Sequence, residues 1–126
     1  MIVEAKQVEL YESADGEIPY EIWFDGIRDG QTRNRVKIRI NRLRTGNLGR
    51  YKGGGGGIIE LALDFGPGYR VYAAQVGTLI ILLLCAGDKS TQVADIAAAK
   101  EFWADYLART KQTSLGEEMV VHAKSQ

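Results

Sequence analysis

Nine of the chain's basic residues stand between positions 28 and 52: Arg28, Arg33, Arg35, Lys37, Arg39, Arg42, Arg44, Arg50 and Lys52. A guanidinium offers a phosphate two parallel hydrogen bonds and a permanent positive charge, so a cluster of this kind points to phosphate chemistry. Acid–base catalysis by histidine is nearly foreclosed, because His122 is the single histidine and lies in the polar C-terminal tail. A Ser-His-Asp or Cys-His unit would have to recruit that tail residue. RNA can be cut without histidine, by its own 2′-hydroxyl attacking the adjacent phosphorus in line with the leaving 5′-oxygen. The catalyst must then hold the backbone, stabilise charge on the phosphoryl oxygens and move two protons. Arginine, lysine and tyrosine suffice for this. A lysine ringed by arginines is a plausible base, since like charge disfavours its protonated form.

The total charge hides this cluster. Sixteen Lys and Arg balance sixteen Asp and Glu, for a formal net charge of zero. Residues 28–52 hold nine bases and one acid, Asp29, a net of +8; the other seven bases and fifteen acids give −8. A basic stripe is the electrostatic footprint of a nucleic-acid partner. Scattered charge on a solvated helix is the ordinary alternative. The acidic N-terminal stretch (Glu4, Glu9, Glu12, Asp15, Glu17, Glu21 and Asp25 against Lys6) is expected to face away from RNA.

Several classes are excluded by composition. At 126 residues, with 45% hydrophobic and 25% charged, the chain fits one folded domain and not a disordered one. The lone Cys85 rules out an intramolecular disulfide and a multi-cysteine zinc site, and reads as a small buried hydrophobe. With no ligand cluster, no metal or organic cofactor is implied. The apolar run Leu79–Ala86 is far shorter than the roughly 20 helical residues that cross a bilayer. The N-terminus lacks a basic-then-apolar signal pattern, and a cytoplasmic location is expected. The run Gly53–Gly57 is followed by Ile58-Ile59 rather than Lys-Ser/Thr, so it is not a nucleoside-triphosphate loop.

The elements that must position these groups are partly readable. Met1–Leu10 suggests a first strand, and Pro19 suits the first turn of a helix carrying Ile22, Trp23 and Ile27. Asp29-Gly30 ends that segment, with Thr32 expected to cap the next helix. Arg33–Arg44 fits both periods: Val36, Ile38 and Ile40 alternate, while Val36, Ile40 and Leu43 recur at helical spacing. Length, Arg/Lys content and the stop signal Gly46-Asn47 favour helix, with Arg35, Arg39 and Arg42 on one face. Gly53–Gly57 is expected as loop. Ile58–Phe65, the turn Gly66-Pro67-Gly68 and Tyr69–Ala74 read as a hairpin, with Glu60, Ala62 and Asp64 on its polar face and Arg70 and Tyr72 sharing one face of the return strand. Leu79–Cys85 reads as a strand buried on both faces. A helix follows, with Val93, Ile96, Lys100, Trp103 and Leu107 as its inward stripe. The expected order β-α-α-β-β-β-α describes an α+β domain over residues 1–108, with a small, mainly antiparallel sheet, helices mainly on one face, and a ragged polar tail over 109–126. Trp23, Trp103 and Tyr106 read as core. Tyr69 and Tyr72 are open to stacking, proton transfer or core packing.

At Leu63-Asp64-Phe65-Gly66-Pro67-Gly68-Tyr69-Arg70-Val71-Tyr72 the sequence resembles the RelE/HigB superfamily of toxin–antitoxin killer proteins, most closely its phage-derived addiction module killer branch. Arg44-Thr45-Gly46-Asn47 with Gly49 and Lys52, Leu82–Gln92, and Asp95-Ile96 with Ala99-Lys100 and Trp103 extend the likeness over roughly residues 18–107. The resemblance implies a RelE-like fold and a ribosome-dependent endoribonuclease that cuts mRNA in the ribosomal A site. It also implies a cognate antitoxin with a helix-turn-helix domain. Arg70 matches the arginine that this superfamily sets against phosphate, and Lys52 matches a basic position before its first long hairpin strand. Lys89 follows the buried strand. Each lysine could serve as base, acid or phosphate contact, or be an ordinary solvated lysine. Arg35, Arg39, Arg42 and Arg50 are expected to dock on rRNA, with partial overlap onto the antitoxin surface as the rival reading. One departure stands out: Ala62 occupies a position where the superfamily usually carries arginine. That suggests an attenuated enzyme or, alternatively, a catalytically inactive module that binds RNA or antitoxin.

Overall fold

The computed structural model describes the backbone of residues 5–124 and the side chains of residues 5–111. Met1–Glu4, at the start of the expected first strand, lie outside the described residues, as does the side chain of His122. In chain order the elements are β1 (Gln7–Leu10), α1 (Pro19–Asp25), α2 (Gly30–Asn41), a 3-10 turn (Arg42–Thr45), β2 (Tyr51–Gly55), β3 (Ile58–Ala62), β4 (Arg70–Val76), β5 (Ile80–Gly87), a second 3-10 turn (Lys89–Thr91) and α3 (Gln92–Lys124). The five strands form one sheet in the order β1-β5-β4-β3-β2, with β1 parallel to β5 and every other pair antiparallel. The chain is thus an α+β domain with three α-helices and a mostly antiparallel sheet. No helix among the described residues is long and apolar enough to cross a membrane.

Local chemistry explains most boundaries. Pro19 opens α1, where its missing N–H costs nothing. Asp29, not Thr32, caps α2: its carboxylate accepts from the Gln31 N–H at 3.2 Å and from the Thr32 hydroxyl at 2.7 Å. Residues 33–41 are helical, and the helix buries Val36, Arg39 and Ile40, the spacing that α2 needs to present one face to the sheet. Gly46, at φ 84°, ends the 3-10 turn that follows.

Three expectations fail, each for a packing reason. The run Gly53–Gly57 is not a loop: Gly53–Gly55 complete β2, and Gly56 and Gly57, both at positive φ, make the two-residue turn into β3. The domain therefore has one strand more than expected. The helices do not gather on one face. Tyr20 and Ile27 from the α1 region and Val36, Ile40 and Leu43 from the α2 region pack on one side of the sheet with Leu61, Leu63, Val71 and Leu83. Ile96, Ala99, Phe102, Trp103 and Tyr106 of α3 pack on the other side with Tyr72, Leu82 and Leu84. Finally, α3 continues to Lys124 where a ragged tail was expected, and its inward stripe is rotated: Val93 is 87% exposed and Leu107 is half-exposed, while Ala99 is buried.

The centre of the sheet matches its sequence. Ile81–Ala86 of β5 are buried on both faces. The pairing slips between Tyr72↔Cys85 and Ala73↔Leu83, so Leu84 is an extra residue. That bulge puts Leu84 and Cys85 into the same α3-side cluster, where strict alternation would have split them.

Candidate functional site

A row of side chains crosses the sheet where β2, β3 and β4 lie side by side. The register pairs Lys52 with Glu60 and Glu60 with Tyr72, and the next row pairs Ala62 with Arg70. Glu60 is 2% exposed, and a buried carboxylate is costly unless its lone pairs are filled. Here those of Oε1 are. Oε1 accepts from the Gln92 amide at 2.6 Å and the Tyr72 hydroxyl at 3.3 Å, and lies 3.3 Å from Arg70 Nε. That last contact is an ion pair whose angle misses a hydrogen bond, leaving Nε buried without one. Oε2 lies 3.2 Å from Lys52 Nζ, whose side chain is 68% exposed. Arg50, Tyr51, Lys52, Glu60, Ala62 and Arg70 together line a small pocket of about 90 Å³.

Glu60 is the residue that sequence reading underrates, because alternation places it on a polar face that the fold covers with α3. Tyr72 is fully buried and therefore no stacking platform. Burial first, and the Glu60 carboxylate next, push its phenol above the usual range, so it acts as a donor at neutral pH. Lys52 faces the Glu60 carboxylate, and Arg50 and Arg70 line the same pocket. Lys89 is not among the residues lining that pocket; it is exposed on the second 3-10 turn beside Gly68. Cys85 is buried, and burial pushes its thiol up to about 12. Tyr69 packs between Trp23 and Phe65, and Trp103 stacks on Tyr106, both core roles.

The four arginines assigned to RNA converge. Arg35, Arg39, Arg42 and Arg50 line a groove of about 360 Å³ with Ala62, Asp64 and Phe65. Their exposure differs from the even stripe that the helix period implies. Arg39 is 8% exposed, its Nη2 donating to the carbonyls of Leu48 and Arg50 while Nη1 is buried without a partner. Desolvation, then neighbouring Arg42, lowers its pKa. Arg39 therefore ties the 47–50 segment to α2 and shapes the groove floor. The Arg35 guanidinium lies 4.3 Å above the Phe65 ring centroid. Arg50 forms a 2.7 Å ion pair with Asp64, both well exposed. Arg50 and Ala62 line both the groove and the Glu60 pocket, so the two cavities are neighbours. Among the described residues, no group of three or more His, Cys, Asp or Glu side chains is placed to hold a metal ion.

A protein of Haemophilus influenzae, described as uncharacterized, is 40% identical to this chain over 83 residues, covering 66% of this chain and 84% of that protein. No family model matches the chain, and no solved structure matches it. By that identity and coverage the chain belongs to the family of the Haemophilus protein.

Proposed function

We propose that this chain, with its family, is a ribosome-dependent endoribonuclease: the mRNA-cutting toxin of a type II toxin–antitoxin pair. The observation that carries the reading is the adjacency of the arginine groove and the Glu60 pocket, which share Arg50 and Ala62. An RNA strand lying along the groove on Arg35, Arg42 and Arg50 delivers a phosphate to Arg70 and Lys52. The RelE-like fold belongs to the same proposal, supported by a β-α-α opening, a central hairpin and a closing helix.

The chemistry follows from the two oxygens of Glu60. Oε1 is occupied by donors, whereas Oε2 faces only Lys52 among the described residues and is the oxygen left to accept a proton. The 2′-hydroxyl gives its proton to Oε2 as the 2′-oxygen bonds to phosphorus. The bond from phosphorus to the 5′-oxygen breaks, and that oxygen takes a proton from Lys52. The products are a 2′,3′-cyclic phosphate and a 5′-hydroxyl. Glu60 then returns its proton to Lys52 across their 3.2 Å contact, which restores the site. Arg70 stabilises charge on the phosphoryl oxygens, the role worth most in reactions of this kind. The partners in this proposal are the ribosome with its mRNA and rRNA, and a helix-turn-helix antitoxin, in the cytoplasm.

The test is translation in vitro followed by primer extension on the mRNA. New 5′ ends opposite the A site are expected. Arrest of translation without cut ends would favour the second reading, an inactive module that binds RNA or antitoxin. The feature behind that reading is Ala62, which leaves a short apolar side chain between Arg50 and Arg70 on the pocket wall.

A further inference from the structure

The start of α3 is built to deliver one side chain to Glu60. Gly87 ends β5 opposite Arg70, and a Cβ there would stand 1.8 Å from Asp95 Oδ2 and 2.6 Å from Thr91 Oγ1. A side chain there would displace the Asp95 and Thr91 side chains, and glycine leaves them room against the strand end. Asp88 then caps the 3-10 turn, accepting from the Ser90 N–H at 2.8 Å, and Thr91 donates to Asp95 at 2.5 Å. Gln92, the first residue of α3, is thereby fixed with its amide nitrogen 2.6 Å from Glu60 Oε1. This is the shortest of the Glu60 side-chain contacts described, and its donor lies 32 residues away in the sequence.

We infer that Gln92 is a positioning residue for the proposed cleavage: its amide pins Oε1 so that Oε2 turns to the pocket and to the 2′-hydroxyl. The inference rests on the endoribonuclease reading. The physical content is directional. Glu60 has two equivalent oxygens and a terminal torsion that rotates easily, and three neighbours, Tyr72, Gln92 and Arg70, lie on one of them. Gln92 and Tyr72 are uncharged at neutral pH, so they orient the carboxylate without competing with Lys52 for the phosphate. The charged groups around Glu60 are Lys52 on β2 and Arg70 on β4, with Asp95 of α3 acting on Tyr72. No sequence period predicts this pairing, because α3 reaches the sheet face only after the bulge and Gly87 have set its entry.

Two near-isosteric substitutions separate orientation from packing. Gln92→Met keeps length and removes the donor. Gln92→Glu keeps shape and replaces the donor with a second carboxylate. With programmed ribosomes and the full chain, each is expected to lower the single-turnover cleavage rate about 10- to 100-fold, the loss of one hydrogen bond to a charged group, with half-saturation changed less than about twofold. Gln92→Glu is expected to be at least as damaging as Gln92→Met. Tyr72→Phe removes the longer contact to the same oxygen, and its loss is expected to be smaller. Melting temperatures of all three variants confirm that they fold. A Gln92→Glu enzyme that cuts at the wild-type rate overturns the inference, as does a loss confined to half-saturation. Absence of cleavage by the wild-type chain overturns the endoribonuclease reading and this inference with it, whereas wild-type cleavage with an indifferent Gln92→Glu overturns the inference alone.

Discussion

Two carboxylates, Glu60 within β3 and Asp64 just beyond its end, both meet cations, and they do opposite things. Asp64 forms the shorter ion pair, 2.7 Å to Arg50, with side chains 62% and 73% exposed. Glu60 makes longer contacts to its two cations, 3.3 and 3.2 Å, from a position that is 2% exposed. Distance alone would rank Asp64 first. Water reverses the order, because it screens the exposed pair to roughly 0–1 kcal/mol, while a buried carboxylate depends on every donor around it. The exposed pair can open at little cost; the buried one is fixed by its surroundings. The same contrast separates Arg42, exposed on the groove wall, from Arg39, which is folded into its floor.

The sharpest way to break this comparison is Glu60→Gln, which keeps the shape and removes the proton acceptor. Cleavage is expected to fall by about 10²- to 10⁴-fold in single-turnover assays, the usual worth of a general base, with the fold retained by circular dichroism. A rate within threefold of wild type would move the reaction away from Glu60. Ala62→Arg probes the wall between the regions. It is expected to raise cleavage and growth inhibition by about 30- to 1000-fold if a cation there acts like an oxyanion-hole donor. Equal toxicity at matched expression would sink it.

Smaller effects sharpen the contrast. Arg42→Ala should weaken ribosome binding severalfold and flatten the dependence of log affinity on log salt by about 0.7 to 0.9, one phosphate contact. Arg39→Ala should act instead through stability, visible as a lower melting temperature. Alkali tests the buried groups. The Cys85 thiol rises from 9.0 to about 12 and the Tyr20 phenol from 10.0 to about 12, both by burial. A raised folded pKa stabilises below the unfolded value and loses that contribution as pH climbs towards the folded one, so stability should decline from about pH 9 to 12. Cys85→Ala should move the onset up towards pH 10, read by urea melts across that range. Smallest of all, Asp64→Asn should change stability by less than about 1 kcal/mol.

Much of the architecture was legible from periodicity. The hairpin over 58–76, the doubly buried β5 and the helical choice for 33–41 all follow from local pattern, since strand and helix periods differ over a few residues. The four arginines of the groove were named from one helix face and one loop, and they do converge. What escaped was the strand that runs into the glycine tract, because Gly53–Gly55 have no side chains and are held by pairing to β3. The second helical layer escaped too, because hydrophobic spacing tells that a helix has an inner face and not which side of the sheet receives it.

The sequence by itself determined most of the strands and helices, that the positive charge is gathered in one segment, and that any chemistry here works without a histidine outside the tail. These are local properties, carried by neighbours a few residues apart. Only the tertiary structure decided which charges meet. Glu60 became the centre of a site because β2, β4 and α3 bring Lys52, Arg70, Tyr72 and Gln92 to one buried carboxylate. Arg39 left the surface because the 47–50 segment folds over it. Burial and register are set by contacts distant in sequence, and those turn an alternating glutamate into the group that the rest of the site is arranged around.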